Sequence, residues 1–574
     1  MVSRVRSGFT LLAGLMLIAA IGAGGSTAHA QDRETLRVSF PSEDGSLTPY
    51  TFRTGYPLVM LVYDSLTWRD VDGVPRPWLA SSVRRDRSGR HVTVKLRRGI
   101  RWHDGRPLTA GDVEFTYRYM AAREHPRFTP ELRDIQSVTA SDPRTVVFAL
   151  RRDSLGFEDQ PLADVPILPR HLWEGLPAGR PAPAGLPVGT GPYRLVRHVT
   201  GKRYTFRANP GYFKGPPKRE VLEVPIVGRE KDAFAMLKRA TLDATPVNLP
   251  ADKSIERSRS FTFSEGISYS GTMLEFNLRR APFDRRSART AVSQALRLQA
   301  IAGSANGPGA MATAERGMLH PESRWAPATT LHRSDVEAAR LAFTEQGVAP
   351  FTLLASRNDG VRLEAAERVA KALRDAGARV RLEAVSSQDF ERRLGRNGNT
   401  TDFDVAVVGI PTLASYDPAF LRNVFGAPEH AALNDGGYRS AEFAHTADRV
   451  ASAENRAARR AAVSDELKLL ARDLPALPLF FGGTTFAYRS LGYNDWVDVK
   501  GSGILDKQSF LTKAAVPAAA ATGPTADPRD TSGESGSISL APVIIAAVGL
   551  LLLGGLWAMF RGRNANSPRR PRGR

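Results

Sequence analysis

The sequence predicts an α/β fold divided into more than one domain, and three observations carry that prediction. At 574 residues the chain exceeds a single ordinary hydrophobic core. From Ser334 onward helical and strand patterns alternate, the order that builds a parallel sheet. Within that stretch Val405 to Val408 is an unbroken apolar run, as expected of a strand buried on both faces.

The N-terminus reads as a secretory leader. Arg4 and Arg6 precede an uncharged stretch from Gly8 to Gly25, and Ala28-His29-Ala30 offers a small-x-small cleavage site, so residues 1–30 are assigned to a signal peptide. Leu36, Val38 and Phe40 alternate within a strand from Thr35 to Phe40. Tyr56 to Leu66 has the broad apolar face of a helix. His91 to Arg97 and Thr145 to Leu150 alternate as strands. Between them Trp102 to Val113 reads as a turn feeding a helix. Asp104-Gly105 makes the turn, Thr109 is an N-cap, and Asp112 three residues on completes a capping-box pattern. Leu108 and Val113 occupy the staple positions that flank such a cap.

Leu176 to Pro187 is rich in Pro and Gly and reads as a linker. Gly189-Thr190-Gly191 permits a tight turn before a strand from Tyr193 to Val199. It is not a phosphate cradle, because no Lys-Ser/Thr follows and the next element is a strand. Helices are expected around Ala233 to Arg239, at Ala291 to Ile301, at Asp335 to Glu345 and at Leu363 to Ala376, the last closed by Gly377. Strands are expected at Phe351 to Ala355, Val380 to Ala384 and Phe403 to Val408.

Beyond these, residues 514–537 form a flexible linker rich in Ala, Pro, Gly, Ser and Thr. Ile538 to Phe560 is uncharged and, at about 1.5 Å per residue, reaches across a bilayer core. Six arginines follow in residues 561–574, which places that tail in the cytoplasm and the body of the chain outside, tethered by one transmembrane helix.

Composition narrows the function. The chain contains no cysteine, so disulfides, thiolate nucleophiles, Cys-ligated metals and a lipidated cysteine are excluded. Of the net charge of +20, +12 remains without the two leader and six tail arginines. No basic stripe is interleaved with aromatics, so no nucleic-acid partner is expected. There is no His-Glu-x-x-His, Walker loop or Gly-x-Ser-x-Gly, so no enzyme, cofactor or catalytic residue is expected. His103 reads as a turn hydrogen-bonder rather than a metal ligand, and Asp402 and Asp404 as solvated acids at a strand start.

Asp72-Gly73, Leu79-Ala80, Leu96-Arg97-Arg98-Gly99-Ile100 and Trp102 to Val113 form a long ordered string. It resembles the signature of the family 5 extracellular solute-binding proteins, the peptide/nickel-type receptors of ABC importers. Gly189-Thr190-Gly191-Pro192-Tyr193, Asn209-Pro210-Gly211-Tyr212-Phe213, Leu274-Glu275-Phe276-Asn277 with Pro282-Phe283-Asp284, and Leu474 to Phe481 extend the resemblance over roughly residues 35–512. It implies a periplasmic-binding-protein-like fold (class II, large cluster with an extra domain) whose two lobes enclose a ligand cleft. Lobe I would comprise residues 31–56, 186–275 and 479–513, the extra domain 57–185, and lobe II 276–478. The implied function is the extracytoplasmic binding component of an ABC transporter, which takes a peptide-like or other small solute by hinge closure and delivers it to permease subunits. The alternative is a membrane-tethered scaffold or regulator that kept the fold without import.

The resemblance also suggests ligand-binding residues. Tyr50 follows Leu47-Thr48-Pro49, where the family has Leu-Asp-Pro near the cleft. Tyr269 and Tyr416 offer flat aromatic contact, and Asn277 and Asp417 offer orientation while also holding loops. Asp417 is expected to cap the turn into Ala419 to Phe425. Three positions depart from the pattern: Thr48 and Arg297 each replace an Asp, and Ala414 stands where peptide receptors place the Asp that pairs with the peptide's α-amino group. That contact is worth about 1.5–3 kcal/mol, so a peptide held by its α-ammonium at this position is not expected.

Overall fold

The computed structural model describes residues 34–512, apart from residues 44, 53–54, 124, 126, 178–179, 248–257, 303–311, 346, 397–398, 430 and 432. The signal peptide, linker, transmembrane run and basic tail read from the sequence lie outside the described residues. Among the described residues no helix is long and apolar enough to cross a membrane.

The first sheet is small. Strand β1 (Thr35–Arg37) begins it, and helix α1 (Tyr56–Val62) follows. The apolar face of α1 is buried, yet the helix ends before Leu66 because Tyr63 turns extended. That turn carries Asp64 into the interior.

The 57–185 block holds a four-stranded antiparallel sheet of β2 (Ala80–Arg85), β3 (His91–Leu96), β4 (Ile135–Asp142) and β5 (Thr145–Leu150), in the order β2-β3-β5-β4. Helix α2 (Ala110–Ala122) packs beside it with Tyr117 edge-on to Phe148. The expected cap is in place: the Asp112 carboxylate accepts from the Thr109 backbone N–H at 2.8 Å and from its hydroxyl at 3.0 Å. The first sheet then closes with β6 (Tyr193–Val199), β7 (Arg203–Ala208) and β8 (Val221–Pro225), where β8 runs parallel to β1.

Helix α3 (Glu230–Lys238) leads to the largest sheet. Its main strands are β9 (Ala244–Val247), β10 (Phe261–Phe276), β11 (Phe351–Ser356), β12 (Val380–Val385), β13 (Val405–Ile410) and β14 (Ala476–Arg489), in the order β9-β14-β10-β13-β11-β12, and the two residues Ala312–Thr313 also pair with β14. The expected parallel arrangement holds for β12, β11 and β13. The sheet is nevertheless mixed, because β13 pairs antiparallel with β10, and β10 antiparallel with β14. Strands β10 and β14 are separated by some 200 residues of sequence, so no local strand-helix-strand pattern announces their pairing.

These two long strands link the halves of the molecule. Phe261 to Ile267 pair with β14 where β14 also carries β9, and Gly271 to Glu275 pair with β14 where β10 also carries β13. Between the two stretches the register shifts, at Ile267 to Gly271. A Cβ on Gly271 would stand 2.8 Å from the Phe481 ring and 2.9 Å from Ile410, so only glycine fits at this crossing.

The helices flanking the large sheet are α4 (Arg286–Ala295), α5 (Leu298–Ala302), α6 (Val336–Thr344) and α7 (Gly360–Asp375), then α8 (Ser387–Arg393), α9 (Thr412–Tyr416), α10 (Ala441–Ala451) and α11 (Arg456–Asp473). The single helix expected over Ala291 to Ile301 is broken in two. Leu296 is extended and fully buried, and Arg297 restarts the chain by accepting from Ala300 and Ile301. Helix α7 begins three residues earlier than its apolar pattern indicates, because Asp359 caps it by accepting from Arg362 N–H. Gly377, at φ +92°, closes it as expected.

After β14 the chain returns to the first sheet, and Lys218 N–H donates to Phe510 C=O there. Lys507 reaches the interior of that half and donates to Asp64 at 2.6 Å, with both side chains fully buried.

Candidate functional site

A cavity of about 1210 Å³ opens where the large sheet meets the rest of the chain. Met273 and Glu275 of β10, with Val408 and Ile410 of β13, form its floor. The N-terminal turn of α7, from Asp359 to Arg362, lines one side together with Ser387 and Phe390 of α8. Pro411 to Leu413 line another. The N-terminal half of the chain contributes Pro41, Ser42, Gly228 and Glu230, and the 57–185 block contributes Arg127. The walls therefore come from every sheet-bearing region, at the point where β10 and β14 pass from one half to the other.

The wall groups are mostly polar but already engaged. Arg127 makes a two-pronged contact with the Asp164 carboxylate at 2.6 and 2.8 Å. Arg362 pairs with Asp359, and its Nε is buried with no hydrogen-bond partner among the described residues. Ser356 and Ser387 share a hydroxyl contact at 3.2 Å. Aliphatic surface from Met273, Val408 and Ile410 beside a few placed polar groups is what a small-molecule cleft requires.

The five residues singled out from sequence lie elsewhere. None is among the residues lining this cavity. Tyr50 packs edge-on against Tyr119 and His125, and its hydroxyl donates to Arg123 C=O at 3.1 Å. Asn277 donates from Nδ2 to Phe403 C=O at 2.9 Å and accepts from Arg279 N–H, so it ties two loops. Asp417 accepts from Ala419 N–H at 3.1 Å, the turn cap read from sequence, and pairs with the buried Arg459. Gly156 of the 57–185 block leaves room for that pair, since a Cβ there would strike both partners.

Tyr269 and Tyr416 come together, ring centroids 4.9 Å apart. The Tyr416 hydroxyl donates to Lys500 C=O at 2.7 Å, and the Arg69 guanidinium lies 4.1 Å over its ring. Tyr269 N–H donates to Gly501 C=O, and Gly501 N–H to Ile267 C=O, beside the register shift. This aromatic pair therefore joins α9 to the 500–502 loop and the crossing strands. Ala414 is fully buried in α9, and Gln160 holds that helix by donating to Leu413 C=O at 2.9 Å.

His103 bonds one landmark to the next. Its backbone N–H donates to Gly189 C=O at 2.8 Å, its Nδ1 accepts from Gly189 N–H, and Nε2 carries the proton donated to Gly191 C=O at 3.0 Å. Burial lowers its pKa to about 4 and keeps the ring neutral. Among the described residues no cluster of three or more His, Cys, Asp or Glu could hold a metal. Asp404 accepts from Thr352 N–H and pairs with Arg280, the role of a strand-end acid.

The cavity residues absent from the sequence reading had one legible signal. Leu274 and Phe276 enter one core cluster while Met273 enters another, so β10 is buried on both faces, yet Glu275 sits between them. A carboxylate in such a strand demands a reason. Arg362 and Ser387 had none, since both sit in helical first turns with ordinary polar composition.

The family model described as bacterial extracellular solute-binding proteins, family 5 Middle, matches residues 74–431. Protein XP55 of Streptomyces lividans is 28% identical over 385 residues, covering 62% of this chain and 67% of that one. The oligopeptide-binding protein AppA of Bacillus subtilis is 23% identical over 381 residues, 61% of this chain and 68% of AppA. The solved structure of AppA with a nonapeptide superposes with a TM-score of 0.72 at 21% identity, over 84% of this chain and 98% of that one. NikZ from Campylobacter jejuni, solved with Ni(L-His), gives 0.71 at 21% identity, over 82% and 97%. The two structural likenesses establish a shared periplasmic-binding-protein-like α/β fold.

Proposed function

Because the chain belongs to the bacterial extracellular solute-binding proteins of family 5, we propose that its cavity is a solute cleft that closes about the crossing of β10 and β14. The chain is the substrate-binding component of an ABC importer, a receptor rather than an enzyme, and it hands a peptide-like or other small solute to permease subunits. The observation that carries this reading is the cavity itself: its walls come from the N-terminal half, the 57–185 block and the 351–433 stretch, and Ser270 of β10 lines it beside the register shift that would supply a hinge. The division into lobe I (31–56, 186–275, 479–513), extra domain (57–185) and lobe II (276–478) follows from the same reading.

The protein works on the extracytoplasmic side. The leader read at residues 1–30 and the uncharged run Ile538 to Phe560 before six arginines support export followed by retention through one C-terminal helix. Truncation after Lys513 should move the protein from membrane to soluble fractions; a full-length chain already soluble without detergent would refute the anchor.

A solute that the cleft recognises should stabilise the fold by RT ln(1 + [L]/Kd), about 2.7 kcal/mol at a hundredfold excess over Kd. It should also reduce the radius of gyration in solution scattering. Chemical conversion of the solute on incubation would overturn the receptor reading.

A further inference from the structure

Glu275 is 3% exposed, on the floor of the cavity. Its Oε1 accepts from Gly436 N–H at 2.7 Å, and its Oε2 has no hydrogen-bond partner among the described residues. The charged groups around it are Arg396, Arg279, Asp435 and, one step further, Glu391. Arg396 is held by the Asp435 carboxylate at 2.6 Å and by Glu391 at 3.0 Å, and Arg279 donates to Asp435 C=O. Three carboxyl groups thus face two guanidiniums, and Glu275 is the one without a direct counter-charge. Burying such a group is costly unless it is neutralised by a proton or by a cation.

The geometry points to Glu275 as the anchor for an amine or guanidinium group of the bound solute, with its buried, unpartnered Oε2 as the acceptor for the cation's hydrogen bond. This inference rests on the solute-cleft reading and names the chemistry that the cleft takes. Burial, then the neighbouring Asp435, raises the Glu275 pKa to about 8, so the empty site holds a proton at neutral pH that an arriving cation displaces.

The test uses the full-length protein with four separate probes: trilysine, putrescine, trialanine and glucose. Thermal shift should show stabilisation of the wild type by a cationic probe and not by trialanine or glucose. Calorimetry of that probe in phosphate and in Tris should report release of about one proton per molecule bound at pH 7. Glu275→Gln keeps the acceptor for Gly436 N–H and mimics the protonated acid, so it should fold normally yet lose cation binding at least tenfold. Stabilisation by a neutral probe, unchanged cation binding in Glu275→Gln, or binding without proton release would each overturn the inference. Native mass spectrometry separates the two levels. A neutral co-purified solute leaves the cleft reading standing and sinks this one, whereas no co-purified solute and no stabilising probe sinks both.

Discussion

Two buried acidic centres in this chain are built in opposite ways. Asp64, in the N-terminal half, receives four donors: Trp78 Nε1 at 2.8 Å, Tyr212 OH at 3.1 Å, Thr190 Oγ1 at 2.9 Å and Lys507 Nζ at 2.6 Å. Lys507 in turn lies 4.0 Å over the Trp68 ring. Glu275, on the cavity floor, receives one donor and leaves an oxygen over. A completed network specifies structure, because every lone pair already has its proton. An uncompleted one in a cavity wall leaves chemistry available to a ligand. Asp64, Trp78, Tyr212 and Lys507 tie together segments of the 57–185 block, the first sheet and the returning C-terminal stretch, so this network holds the fold of one half.

The largest expected effect comes from breaking the completed centre. Lys507→Met leaves Asp64 as a buried charge without its counter-ion and should cost about 3–5 kcal/mol in urea unfolding. A loss below 1 kcal/mol would show that the two centres do not differ as described.

Glu466 sharpens the comparison, because it is fully buried in α11 with neither carboxyl oxygen hydrogen-bonded among the described residues. Burial raises its pKa from 4.5 to about 8, against the opposing pull of Arg459 and Arg422. In the folded chain it keeps its proton across a window where the unfolded chain has lost it. Its stabilising contribution is therefore complete below about pH 4.5 and is lost as pH rises through about 8. Wild type should lose up to about 1.4 kcal/mol per pH unit more than Glu466→Gln over this window. Parallel pH profiles for the two proteins would refute it.

Smaller effects test the contacts between halves. Tyr416→Phe removes the donor to Lys500 C=O and should cost about 1 kcal/mol while leaving the ring contact with Tyr269 intact. Asp159 pairs with the partly exposed Arg324, so Asp159→Asn should lose only about 0.2–1 kcal/mol at moderate salt. If the cleft closes by bringing these groups together, scattering of Asp159→Asn should show a larger radius without solute.

The local pattern was legible. Alternation placed β3, β5 and β11 almost to the residue, and Thr109 with Asp112 announced the cap of α2. What escaped was non-local. The β10–β14 pairing joins residues more than 200 apart, and it turns an expected parallel sheet into a mixed one. The helix at Ala291 to Ile301 broke because Leu296 is buried in extended conformation, a tertiary demand that overrides helical spacing. The five candidate residues lie outside this cavity for a related reason, although Tyr269 and Tyr416 meet. Asn277 and Asp417 stand in motifs because they tie loops, whereas most residues that line the cavity, Arg362 and Ser387 among them, stand in no motif.

The central claim is that the cavity floored by β10 and β13 holds the solute. Ser387 is exposed and lines it, so Ser387→Trp should push a bulky ring into the space where the solute sits without disturbing the core. Native mass spectrometry of wild type and Ser387→Trp, each saturated with the same stabilising solute, tests this directly. A one-to-one adduct on wild type that is lost in the variant is the predicted result; adducts of equal intensity on both proteins would contradict it.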